Sequence, residues 1–416
     1  MLELNKEQRE QFNEILELLG ESLDISQSDY DKAVESYKAV GTQLAKDNSK
    51  LKEYNPQIAP QGSFLLGTVI KAINDCDDLD IDLVCELLGK NPNWTQEDLK
   101  AIVGEQLMEN ETYKKIMEFP DGRRCWTLKY RENSEDEKYH MDILPSVIDN
   151  DYRRDFDGLF SEKIFDRSTI QKLAFRITDR ERDDYKTETN AVEWLKSNPF
   201  GYAKWFFDRA EQGQVEKRFS LKASIQEVPN FQKNKYPLQR IIQILKCHRD
   251  MMFSTEEDKV DKPISIIITT LAARAYTGSK NILEALENVI SNMKNYIEIC
   301  TNDEGKAVYW VENPVNSEEN FADKWKEHPQ RQKNFYNWLE QVQRDIIKIT
   351  EQHGLTSIGN EIKTVFGDNV GNQTINTYSE RLREKRENNN LRMTIGTGML
   401  GNTGKIEVPQ HKFYGK

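Results

Sequence analysis

The stretch from Gln61 to Val84, QGSFLLGTVIKAINDCDDLDIDLV, sets a Gly-Ser turn ahead of a segment in which acidic and apolar residues alternate. Successive side chains of a β-strand point to opposite faces, so Asp80 and Asp82 share one face while Leu79, Ile81 and Leu83 share the other. Two carboxylates held side by side repel each other, and a divalent cation between them makes the arrangement favourable. Oxygen-only ligation suits Mg²⁺ carrying a triphosphate. The Gly-Ser turn offers backbone N–H groups and a hydroxyl to such phosphates.

The same residues also read as an acidic edge strand with a solvated face. Asp78 and Glu86 lie on the polar face too, so alternation alone does not say which two carboxylates bind metal. A third acid weighs toward a site: Asp142 in KYHMDILPS sits on a second short strand, with Met141 and Ile143 facing the other way. His140, two residues before Asp142, shares its face and reads either as a substrate contact or as a surface histidine.

The order Gly62-Ser63, then Asp80-Ile81-Asp82, then a lone Asp142 on a later strand resembles the polymerase-β-like nucleotidyltransferase superfamily. Within it, the chain resembles the cGAS/DncV-like nucleotidyltransferases, bacterial enzymes that make cyclic oligonucleotide signals in anti-phage defence (CBASS). Further matches are ITD (177–179), SNPFGYAKWF (197–206), LQRIIQILKCHRD (238–250), PISIIITTLA (263–272) and NPVNSEENFADKW (313–325). The resemblance implies an α+β protein: a nucleotidyltransferase sheet lobe and a mainly helical C-terminal lobe, joined by a long N-terminal spine helix. It implies two Mg²⁺ ions, with Mn²⁺ as a substitute, held by Asp80, Asp82 and Asp142. Gln61, Gly62 and Ser63 would hold the donor phosphates, and Lys246 and Ser265 would contact the triphosphate from the opposite side. The implied substrates are nucleoside triphosphates and the implied product a cyclic di- or trinucleotide read by a downstream effector.

On spacing alone, Lys246 reads as a solvated residue of an amphipathic helix, with Arg249 on the same face, and Ser265 beside Pro263 reads as a helix cap. Two other functions compete with cyclic nucleotide synthesis. One is a nucleotidyltransferase that modifies RNA ends or protein hydroxyls, which for a tRNA-acting enzyme calls for a basic surface. The other is an inactive nucleotide-binding scaffold, which is expected to lack one carboxylate of the triad.

The chain has 416 residues, 37% hydrophobic and 10% aromatic, enough for a two-lobed folded protein. Its net charge of −12 disfavours a broad phosphate-backbone footprint, so no nucleic-acid partner is expected, although animal relatives are switched on by double-stranded nucleic acid. The start, MLELNKEQREQFNEILELLG, reads as an amphipathic helix and not a signal peptide, and no apolar run is long enough to cross a bilayer. Five cysteines without a C-x-x-C pair fit a reducing compartment, and structural zinc is not expected. The expectation is a cytoplasmic protein that does not engage membranes.

Three regions are expected: a catalytic lobe over 1–160 including the spine helix, a helical lobe over 161–383, and a mobile tail over 384–416. The spine is placed at Ile25 to Leu51, where apolar residues recur at helical spacing. Thr95 with Glu97 and Asp98 marks a helix start, and CWTLKYRENSEDEKYHMDIL reads as a hairpin with a solvated acidic turn. Later helices are expected at Ala191 to Lys196, Leu238 to Phe253, Ile264 to Tyr276, Ile282 to Ile299 and Gln330 to Gln352. Some family members have their C-terminus joined to other proteins by a partner resembling ubiquitin-transfer enzymes; here the chain carries Gly415 but ends in Lys416.

Overall fold

The computed structural model describes residues 4–72, 79–130, 139–148, 173–212, 234–301, 305, 307–395, 399–402 and 404–410. Asp78, Cys76, the acidic turn at 132–137, the boundary at 160 and the terminal Gly415 and Lys416 lie outside the described residues.

The first lobe is built on strands β1 (Gln57–Pro60), β2 (Leu79–Leu87), β3 (Trp126–Tyr130), β4 (Tyr139–Val147), β5 (Phe175–Ile177) and β6 (Leu195–Ser197). They form one mixed sheet in the order β1-β2-β4-β5-β6, with β3 pairing the opposite end of the β4 edge that β5 occupies. β2 and β4 run parallel, and the other pairs are antiparallel. Helices α1 (Lys6–Ser22), α2 (Gln27–Leu44), the short α3 (Gly62–Leu66), α4 (Gln96–Met108) and α5 (Glu111–Ile116) accompany it. Alternation along β2 and β4 sends Leu79, Ile81, Leu83, Met141 and Ile143 into a core with Leu99, Val103 and Leu107 of α4 and Val40 of α2. The opposite face carries the acids and, further along, Val84 and Leu144, which join the core of the helical lobe. Thr95 caps α4 as expected, in a box closed by Asp98.

The second lobe gathers α6 (Pro199–Ala210), α7 (Pro237–Met252), α8 (Ser265–Ala275), α9 (Ile282–Asn292), α10 (Pro329–Thr350), α11 (Leu355–Phe366) and α12 (Asp368–Glu387). α7 is its centre: every residue from Leu238 to Arg249 is buried, polar ones included.

Several boundaries differ from the sequence reading. The helix expected over Ile25 to Leu51 is α2 alone and stops at Leu44, where Asp47, Asn48 and Ser49 turn the chain. α2 packs on α4 and β1, while α1 packs on α7, α9 and α12, so the bridging expected of one helix is divided between two. Ala191 to Lys196 is not an α-helix: a single 3-10 turn leads into β6, because Leu195–Ser197 pairs with β5. The helix from Ile282 ends at Asn292, and Glu298–Thr301 (β7) pairs with Ala307–Trp310 (β8) in an antiparallel ladder. The region from 384 is not all tail. Residues 384–387 close α12, and β9 (Arg392–Met393), β10 (Leu400–Gly401) and β11 (Ile406–Glu407) form a small sheet with Leu391 buried beside it. Sparse apolar residues concealed this, since three of them, Leu391, Leu400 and Val408, suffice to dock it.

α4 and β3 meet so closely that a Cβ on Gly104 would lie 2.3 Å from the Trp126 ring, whose Nε1 donates to the Lys100 carbonyl at 2.8 Å. Gly104→Ala is therefore expected to destabilise the protein by about 1–3 kcal/mol in chemical denaturation, through overpacking.

Candidate active site

The chain enters the site from β1. The Gln61 N–H donates to the Asp82 carbonyl at 2.8 Å, which fixes the turn against β2. Gly62 follows with φ +58°, and a Cβ there would stand 2.2 Å from Asp82 Oδ2, so conformation and space both require glycine. Ser63 faces the cleft. The Gln61 side chain does not; its Nε2 donates at 3.4 Å to the Leu83 carbonyl, which makes it part of the strand-to-helix junction.

Parallel pairing places Asp82 beside Asp142 and Asp80 beside His140. Asp142 Oδ1 accepts from Thr127 Oγ1 at 2.5 Å, across the β3–β4 ladder. Burial pushes the Asp82 carboxyl up to about 7, with Asp80 and Asp142 adding to the rise and Lys246 opposing it. Asp142 is raised as well, chiefly by burial, against the Thr127 hydrogen bond. Asp80 is 79% exposed and extends toward His140, whose Nδ1 is 3.6 Å from its Oδ1. Accordingly no trio of His, Cys, Asp or Glu side chains among the described residues is drawn in around one point. The donor set nevertheless fits a hard divalent cation: three carboxylates share a face, and a rotamer change at exposed Asp80 brings it toward the other two without moving the strand.

These acids line one wall of a cleft of about 500 Å³. The other wall carries Lys246, Arg249, Lys262 and Ser265. Lys246 is 5% exposed, so it is no solvated-face lysine; its Nζ donates to the Thr68 carbonyl at 3.1 Å. Burial, then Arg249, pushes its pKa down to about 7, against Asp250, Asp82 and Asp80. Arg249 is clamped by Asp250 at 2.9 and 2.8 Å and donates to Ser265 Oγ at 2.7 Å. Burial raises the Asp250 carboxyl, but Arg249 and Lys262, at 3.1 Å, hold it net below the usual range. Ser265 is the first residue of α8, with Ile264 in the capping position, and its hydroxyl serves Arg249. A larger cavity of about 1140 Å³ adjoins the cleft. Ile266 lines both, and the larger one also presents Arg124, Lys196, Trp310 and Phe321.

Residues 56–145, which span β1 to β4, match the family model described as "Cyclic GMP-AMP synthase DncV-like, nucleotidyltransferase domain". The chain is 28% identical over 411 residues to the c-di-GMP synthase of Roseivirga ehrenbergii, covering 97% of each. It is 22% identical over 377 residues to the cyclic dinucleotide synthase CdnG of Bradyrhizobium diazoefficiens, covering 84% of this chain and 79% of that one. Residues 56–145 thus carry a DncV-like nucleotidyltransferase domain, and the chain as a whole is similar to cyclic dinucleotide synthases. Solved structures agree on the fold. CdnG of Bradyrhizobium diazoefficiens in complex with GTP superposes with a TM-score of 0.60 at 19% identity, covering 88% of this chain and 99% of that one. CdnC of E. coli MS115-1 with ATP gives 0.56 at 13% identity, covering 86% and 98%.

In this nucleotidyltransferase, Gly62, Ser63, Asp80, Asp82, Asp142, Lys246 and Ser265 all reach one cleft, with His140 beside them. Gln61 is the expected site residue whose side chain does not line it. Thr127, Thr68, Asp250 and Lys262 were not legible as site residues. Thr127 is signalled only by hairpin register opposite Asp142, and Asp250 only by following Arg249 directly.

A proton on Asp82 competes with a bound cation, so Mg²⁺ affinity is expected to weaken as pH falls through about 7, approaching tenfold per unit below it. Calorimetric Mg²⁺ titrations at pH 6 and 8 measure this. In Asp82→Asn the dependence should flatten.

Proposed function

We propose that this protein is a Mg²⁺-dependent enzyme that joins two nucleoside triphosphates and closes them into a cyclic dinucleotide, a second messenger for anti-phage defence read by a downstream effector. The observation that carries the reading is the opposition of two walls: Asp80, Asp82 and Asp142 on one side of the cleft, Lys246, Arg249 and Lys262 on the other. A metal-bound triphosphate has that polarity, anionic along its length with a cationic centre on one side. The two curated relatives are both named as cyclic dinucleotide synthases, which favours a two-nucleotide product.

Two Mg²⁺ ions, or Mn²⁺ in their place, would be held by Asp80, Asp82 and Asp142, and when bound would neutralise the triphosphate and lower the pKa of the attacking hydroxyl. Ser63 Oγ and the turn's N–H groups bind the donor's phosphates from the sheet side. Lys246 and Lys262 bind them from the helical side. An anionic phosphate raises the pKa of Lys246, so this lysine binds it in the charged form. Thr127 orients Asp142 toward the acceptor hydroxyl, whose proton this carboxylate takes as oxygen bonds to the α-phosphorus and pyrophosphate leaves. The linear intermediate then turns and presents its own hydroxyl to the same residues. The larger adjoining cavity, with Trp310 and Phe321 for a base and Arg124 and Lys196 for phosphate, suits the second nucleotide.

Synthesis is proposed to need no nucleic acid. In the basic cluster RLREKR, Arg381 pairs with Glu21 at 3.0 Å, Lys385 with Glu14 at 2.8 Å and Arg383 with Glu387 at 2.8 Å, leaving little to neutralise a phosphate backbone. No helix among the described residues is long and apolar enough to cross a membrane. A cytoplasmic site of action fits the free cysteines Cys85, Cys125, Cys247 and Cys300.

The test is incubation of the purified, nuclease-treated protein with Mg²⁺ and labelled ATP, GTP, CTP and UTP, singly and in pairs, followed by phosphatase and mass analysis. Phosphatase-resistant dinucleotide is expected, with no stimulation by added duplex DNA or RNA; linear products only would remove cyclisation from the reading. The double variant Asp80→Asn, Asp82→Asn should make no product while remaining folded. Lys246→Met, which keeps side-chain volume, should raise KM for the donor by roughly 10- to 100-fold, the worth of a charge-assisted hydrogen bond.

A further inference from the structure

The backbone that leaves the Gly62-Ser63 turn runs from Gly67 to Ala72 without regular secondary structure, yet Thr68 and Val69 are buried and the segment forms part of the cleft wall. Buried irregular backbone needs partners for its carbonyls. α7 supplies them from one stripe of its surface. Gln239 Nε2 donates to the Leu66 carbonyl at 2.8 Å, Gln243 Nε2 to Val69 at 2.7 Å and Lys246 Nζ to Thr68 at 3.1 Å. Positions four and then three residues apart lie on one helix face, so the three donors are spaced along a single line.

The two amides have their orientation dictated by their surroundings. Gln239 Oε1 accepts from the Tyr236 N–H at 2.8 Å, and that group can only donate, so the amide NH₂ must face Leu66. Gln243 Oε1 accepts from Arg240 Nη1 at 3.1 Å, and its NH₂ serves Asp24 Oδ1 at 3.0 Å as well as Val69. Asp24 also accepts from Arg240 at 2.8 Å and Lys235 at 2.5 Å, which anchors the α1–α2 connection to α7. That connection returns to the same loop, for the Leu23 carbonyl accepts from the Lys71 N–H at 2.9 Å.

We propose that Gln239 and Gln243 are positioning residues for nucleotidyl transfer, resting on the function proposed above: from the helical lobe they grip the loop behind Ser63 and set how deep the phosphate-holding turn sits against Asp82. Glutamine is needed because each side chain accepts on one side and donates on the other. Glutamate keeps the first contact and loses the second. Gln239→Glu thus retains the cap of α7 while turning an acceptor toward Leu66, and Gln243→Met retains the volume without either bond.

The control is Gln43→Met. Gln43 is buried and donates to the Gln106 carbonyl at 2.7 Å between α2 and α4, a bond of the same kind away from the cleft. Hydrogen exchange at the Thr68 and Lys71 amides, thermal unfolding and steady-state pyrophosphate release from Mg²⁺-nucleoside triphosphates are measured on all four proteins. Both clamp variants should exchange at least about tenfold faster at those amides and lose at least about tenfold in kcat, since a displacement near 1 Å at a reacting centre costs up to about a hundredfold. Gln43→Met should unfold at a comparably lowered temperature with kcat within about twofold of the wild type, because the hydrogen bond it loses lies away from the cleft. Unchanged exchange at Thr68 and Lys71, or a kcat loss no greater than the control's, overturns the proposal. No pyrophosphate from the wild-type protein would count against the proposed function, and the exchange comparison would still decide the clamp.

Discussion

Asp80, Asp82 and Asp142 repel one another across two adjacent parallel strands, and the Thr127 hydrogen bond to Asp142 offsets only part of that repulsion. The constraint is met from behind. Ile81, Leu83, Met141 and Ile143 alternate with the acids and are all but fully buried beneath them. Each such side chain contributes roughly 1.5–3 kcal/mol on burial, whereas two unit charges about 4 Å apart at the effective dielectric of a partly buried site cost about 4 kcal/mol. Hydrophobic burial therefore wins, and the cost appears as the raised pKa of Asp82, driven first by its own burial and then by the repulsion of Asp80 and Asp142. A one-residue slip of either strand would exchange the faces, so the pattern that makes the charge cluster also forbids the register that would disperse it.

The second organising element is α7. Its buried stretch includes Gln239, Arg240, Gln243, Lys246, His248 and Arg249, and polar groups taken from water must find partners. Here the partners lie on other elements: the loop after α3, Asp24 between α1 and α2, Ser265 at the start of α8 and Asp345 in α10. One helix thereby ties the helical lobe to the Gly62-Ser63 turn of the sheet lobe. Such ties are more directional than apolar packing, since each hydrogen bond fixes distance and angle, and they suit a cleft whose walls come from different lobes.

Much of the sheet lobe was legible because its signals are local. Alternation specified β2 and β4, and Thr95 with Asp98 announced α4. Sequence also paired β3 with β4 correctly as a hairpin. Reading failed where an element is defined by what it meets. Leu195–Ser197 is a strand only because β5 is beside it, and Leu391 is a core residue only because a groove awaits it. Gln61 illustrates the same limit within the site: its place in the chain suggested phosphate, while the geometry of the turn directs its amide to Leu83.

Residue order alone was enough to put Asp80 and Asp82 on one strand face and Asp142 on a face of a second strand, because strand periodicity fixes which side chains share a face; singling out these three among the acids came from the family resemblance. It took the packed molecule to establish that Lys246 is buried and bonded to Thr68 instead of solvated, that Arg249 is held by Asp250, and that Gln239 and Gln243 grip the loop behind Ser63. Those facts depend on contacts between residues more than 170 positions apart in two of the three cases, and on neighbours in the third. No periodicity within α7 encodes which carbonyls its polar face will meet.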